Sequence, residues 1–66
     1  MLILIKADSL HFRKISNEQR DSIKSLAESL KLVTTISEVS FNVYGQKSQL
    51  FTLLYELSKS YDIELM

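Results

Sequence analysis

The sequence predicts a small α+β sandwich, with two helices on one face of a small sheet, in a single domain over residues 1–66. Three observations carry this. Two stretches hold their apolar residues at helical spacing, and the stretches around them read as short β-branched or alternating runs. There is no proline, and Gly45 is the sole glycine, so successive elements must be joined by short turns rather than linkers. An apolar share of 45% is that of a globular chain and excludes intrinsic disorder.

The chain opens on Leu2-Ile3-Leu4-Ile5, apolar on both parities, which suits a strand inside a sheet. Asp8-Ser9 is a turn signal. Leu10-His11-Phe12-Arg13 then alternates, and reads either as a short edge strand or as an ordered loop. Ser16-Asn17-Glu18-Gln19 has the form of a capping box, in which the Ser16 hydroxyl and the Gln19 side chain each satisfy the other residue's backbone N–H. Behind it Ile23, Leu26, Ala27 and Leu30 recur at i, i+3, i+4 and i+7, so a helix is expected over about 17–31. Residues 32–44 form either one bent strand or two strands interrupted at Ser37-Glu38. Their second half, Val39 to Tyr44, alternates cleanly, with Val39, Phe41 and Val43 on one face. Gly45 ends it. A second helix follows from about Lys47 to Ser60 on the stripe Leu50, Leu53, Leu54 and Leu57. A last strand is expected over Tyr61 to Met66.

The order is then βαββαβ, the ferredoxin-like arrangement, for which this length is near the minimum. A compact three-stranded βαβαβ unit is the alternative if residues 32–44 are one strand.

Several function classes fall away. The apolar run at the N-terminus is far shorter than the roughly 20 residues of a bilayer span or the roughly 7–15 of a signal-peptide core. The expectation is a soluble protein with the cytoplasm as its default location. With no cysteine and a single histidine, His11, no metal site is expected; no cofactor and no catalytic residue is expected either. Asp62 and Glu64 share a strand parity, yet such alternation is ordinary on a solvated face. Gly45-Gln46-Lys47-Ser48 shares only its last positions with a phosphate-binding loop, and a helix start explains it. Eight basic residues balance eight acidic ones, which argues against a general nucleic-acid binder.

What remains are surfaces. Once the helices cover one sheet face, the other shows Ser40, Asn42, Tyr44, Asp62 and Glu64 around an apolar pair drawn from Leu2–Ile5, with Met66 nearby. Either the segment Leu10–Ile15, through Leu10 and Phe12, folds over that face, or a second copy does. On the second helix, Phe51 and Tyr55 lie about 100° and 140° from Leu50, off the leucine stripe, and make a candidate interface flank. The candidate interaction residues are therefore Phe51, Tyr55, Leu10, Phe12 and Tyr44. Arg13, Lys14, Arg20 and Lys24 form a candidate basic patch for an alternative role, binding a small ligand or nucleic acid through residues 10–24.

From Ser25 to Met66 the chain has a helix, then Val39-Ser40-Phe41-Asn42-Val43-Tyr44-Gly45, then a helix carrying Leu50, Phe51, Leu53, Leu54 and Leu57, then Ile63 and Leu65. This succession resembles the ferredoxin-like periplasmic modules of type IV pilus and type II secretion assembly-platform proteins. The resemblance implies a dimerising, non-catalytic scaffold, which in those proteins accompanies a membrane helix. Together these readings predict a protein–protein interaction module, a homodimer or an adaptor or inhibitor docked on a larger protein. A core this small supplies only about 3–5 kcal/mol, so burial against a partner would matter to it.

Overall fold

The computed structural model describes residues 1–38 and 40–66. Seven elements follow in order: β1 (Leu2–Lys6), β2 (Ser9–Arg13), α1 (Asn17–Ser29), β3 (Val33–Ile36), β4 (Phe41–Tyr44), α2 (Lys47–Ser60) and β5 (Glu64–Leu65). The five strands make one mixed sheet in the order β3-β4-β2-β1-β5, antiparallel throughout except for the parallel pair β1–β5.

The α+β class is as the sequence predicts, and the strand order departs from the ferredoxin-like expectation. From β2 onward the elements run βαββαβ, but β1 is intercalated between β2 and β5. The cause is local. Ala7-Asp8 closes a hairpin that pairs Leu2 with Arg13 and Lys6 with Ser9, so the two N-terminal segments become neighbours. Leu10–Arg13 is thus neither an edge strand nor a loop; it belongs to β2, flanked on both sides. Residues 32–44 form two strands, not one. The Ser37 N–H donates to Ser40 O at 2.8 Å and the Ser40 N–H to Ser37 Oγ at 3.2 Å, closing the turn between them. The core position expected for Val39 lies outside the described residues.

α1 begins as its sequence dictates: Gln19 N–H donates to Ser16 Oγ at 3.1 Å, and Ser16 N–H donates to Gln19 Oε1 at 2.9 Å. It ends with Lys31 at φ 61°, which lets Lys31 N–H reach Glu28 O and Leu32 N–H reach Ala27 O, a Schellman closure with lysine where glycine is usual. α2 starts at Gln46 without a side-chain cap. Gly45, before it, has a negative φ, and its need is space: a Cβ there would collide with the Leu32 side chain.

Both helices lie on the same sheet face, in contact with each other. On that face a single row of side chains runs across all five strands, Ile36, Phe41, Phe12, Ile3 and Leu65, its three inner members buried beneath the helices and its two outer ones exposed. The Phe12 and Phe41 rings pack 5.7 Å apart. Ile23 and Ala27 of α1 and Leu50, Leu53 and Leu57 of α2 close the core from above. The exposed area, 4411 Å², is close to the roughly 4,300 Å² of a compact monomer of this mass, so any surface that needs a partner is local.

Candidate functional site

Strand parity decides what the helix-free sheet face displays. Because Leu10 and Phe12 point to the helices, Ser9, His11 and Arg13 point the other way. The same alternation turns Leu2 and Leu4 of β1, Asn42 and Tyr44 of β4, and Val33 and Thr35 of β3 to that face. A second row, Thr35, Asn42, His11 and Leu4, therefore runs across it.

The centre of this face is organised around His11. Its Nε2 lies 2.9 Å from Ser9 Oγ, and the Tyr44 ring stands edge-on to it at 6.1 Å. Ser9 is buried, His11 and Asn42 are half-buried and Tyr44 is exposed. Asn42 Oδ1 is shielded from solvent and has no hydrogen-bond partner among the described residues. At one end of the face, Leu2 stands between Arg13 and Glu64 in register. Leu2 and Leu4 are the apolar pair expected from the first strand. Tyr44 is on the expected face. Leu10 and Phe12 are not surface residues: they are 1% and 0% exposed, on the helix side of β2. They do not cover the open face, because the hairpin with β1 draws their segment into the sheet.

The flank of α2 is open, with Phe51 51% and Tyr55 62% exposed rather than tucked against the sheet edge. The two rings differ in surroundings. Lys59 Nζ sits 4.5 Å from the centre of the Tyr55 ring, a cation–π contact one helical turn on. Tyr55 also borders a shallow groove of about 340 Å³ with Leu54, Ser58, Ile63 and Leu65. Phe51, one turn earlier, lies outside it.

The basic residues converge in part. A cleft of about 150 Å³ between the end of β2, the start of α1 and the β3–β4 turn is bordered by Arg13, Lys14 and Arg20, with Glu38 opposite; Lys24 is not among its walls. Lys14 holds φ 56°, which turns the chain from β2 into α1. Arg20 leans on Asp21 at 3.4 Å, and its Nε is shielded without a partner among the described residues. Among the described residues no three His, Asp or Glu side chains gather in a way that would hold a metal ion, and no helix is long and apolar enough to cross a membrane.

The two lateral margins of the sheet escaped sequence reasoning. β3 carries Val33 at 63% and Ile36 at 51% exposure, and the β5 end carries Leu65 at 61% and Met66 at 62%. Parity alone could not find them, since an edge is defined by pairing and not by pattern. Set against protein-family models, curated proteins and solved structures, the chain matches none.

Proposed function

We propose that this chain is a non-enzymatic protein–protein interaction module, a homodimerising adaptor or scaffold, or an inhibitor of a larger protein, working in the cytoplasm. One observation carries the reading: large apolar side chains stand exposed at both lateral margins of the sheet, Val33 and Ile36 at one and Leu65 and Met66 at the other. Such margins are the usual templates for association. The exposed Phe51 and Tyr55 add an aromatic flank on α2. The resemblance to dimerising secretion-platform modules points the same way.

The test is light scattering over a dilution series, followed by capture of partners from the native host. Dissociation from dimer to monomer on dilution, or a stoichiometric partner, supports the reading. A strict monomer at every concentration, with no partner recovered, overturns it.

A second reading attaches to the cleft at the start of α1, which Arg13, Lys14 and Arg20 border and where Arg20 Nε has no partner among the described residues. These cations suit an anionic group such as the phosphate of a small ligand or of nucleic acid. Salt-dependent binding of a phosphorylated ligand, lost in Arg20→Ala, would support it.

A further inference from the structure

The β3 margin is specified well enough to name its occupant. Ser37 N–H donates to Ser40 O across the β3–β4 turn, so this pair is hydrogen-bonded. In an antiparallel ladder such pairs alternate with non-bonded ones. Thr35 opposite Asn42 and Val33 opposite Tyr44 are then bonded pairs, and their backbone groups are spent on β4. The other side of β4 agrees: Gly45 N–H reaches Asp8 O, which turns Val43 and Phe41 toward β2. The backbone groups of Thr34 and Ile36 therefore point away from the sheet, and no strand pairs with them among the described residues.

We infer that the occupant of this edge is the β3 strand of a second copy, paired antiparallel about a two-fold axis at Thr35, so that two five-stranded sheets become one. This rests on the interaction-module reading above and names its partner and its contact. Centring the axis on Thr35 puts Thr34 opposite Ile36 of the other copy, so the outward N–H and C=O groups of both residues are satisfied reciprocally. Side chains keep their faces, because an axis perpendicular to the sheet leaves both helical layers on one side. The strand Val33-Thr34-Thr35-Ile36 is uncharged and wholly β-branched, so self-pairing places no like charges opposite one another. Natural edges are usually guarded by a charge, a proline or a bulge, and this one has none within its four residues.

Charge settles the direction. Lys31 at the entry to β3 and Glu38 beyond its exit are both exposed. Antiparallel pairing brings the Lys31 end of each strand toward the Glu38 end of the other, so unlike charges meet at both ends. Parallel pairing would bring lysine beside lysine and glutamate beside glutamate.

The chain has no cysteine, so a single introduced thiol reports the register directly. A non-bonded antiparallel pair has its Cα atoms about 4.5 Å apart, within disulfide range, whereas positions offset by two residues lie about 7–8 Å apart. Thr35→Cys is expected to form a disulfide-linked dimer in glutathione buffer at least about tenfold faster than Thr34→Cys or Tyr55→Cys. Thr35→Lys, with paired ammonium groups at the axis, should raise the dimer Kd about fivefold, and mixing it with Thr35→Glu should restore association. A wild type that dimerises while Thr35→Cys cross-links no faster than the two controls overturns this pairing and leaves the module reading standing. A wild type that is monomeric throughout and binds nothing overturns both.

Discussion

The two helices are held in opposite ways. α1 is closed at both ends by its own sequence, with the Ser16/Gln19 box in front and the Leu32-to-Ala27 bond behind, and it buries only Ile23 and Ala27 completely. α2 has no side-chain cap at Gln46, buries Leu50, Leu53 and Leu57, and exposes Phe51 and Tyr55. Local chemistry specifies the first helix and tertiary burial the second. The helix that depends on packing is also the one with apolar surface to spare. In a domain this small, one helix thus carries both a large share of the core and an exposed apolar flank, on different side chains.

The largest effect should come from removing packing under α2. Leu53 is 0% exposed, and Leu53→Ala is expected to cost about 2–5 kcal/mol. Against a total of about 3–5 kcal/mol that leaves little folded protein, so helical circular dichroism should collapse near room temperature. Ser16→Ala should cost about 1 kcal/mol, read as a lower urea midpoint at unchanged slope, because α1 loses its box but keeps its core contacts. Lys31→Gly should raise stability by about 0.5–1 kcal/mol, since glycine takes the left-handed conformation without the side-chain clash. Smallest, Gln46→Ser should add about 0.5 kcal/mol to α2. Gln49 already stands three residues on, so the substitution completes a second capping box. If Gln46→Ser gives no gain in the urea midpoint while Ser16→Ala costs its full share, the contrast between the helices lies deeper than their caps.

The legible parts of the fold were those whose signal is contained in one segment. Ser16 to Leu30 carries its own start and face, though its end at Ser29 rests on a left-handed Lys31 that no sequence signal marks, and Lys47 to Ser60 is bounded as the leucine stripe indicates. β2 was ambiguous because Leu10 to Arg13 alternates alike in an edge strand, a loop or an inner strand; its place is decided by β1 on one side and β4 on the other. The intercalation of β1 was invisible for the same reason. At the candidate surfaces, Tyr44, Phe51 and Tyr55 were readable from parity and helical angle. Leu10 and Phe12 were misassigned with the strand that carries them. The β3 margin could not be read from pattern, since Val33 and Ile36 are exposed by the absence of a neighbour.

β5 is held to β1 across nearly the whole length of the chain, by Glu64 N–H to Met1 O and Met66 N–H to Ile3 O, both at 2.9 Å. β5 is only two residues long, both exposed, and is joined by these two bonds, so this pairing should be among the last formed and the first to open. In hydrogen-exchange terms, the Glu64 and Met66 amides are expected to be among the least protected, and those shared between β2 and β4 among the most. Release of β5 would turn β1 into an edge. The margin at the β5 end is thus the less secure of the two, since losing β5 would pass the edge to β1, whereas β3 is anchored along its four residues to β4.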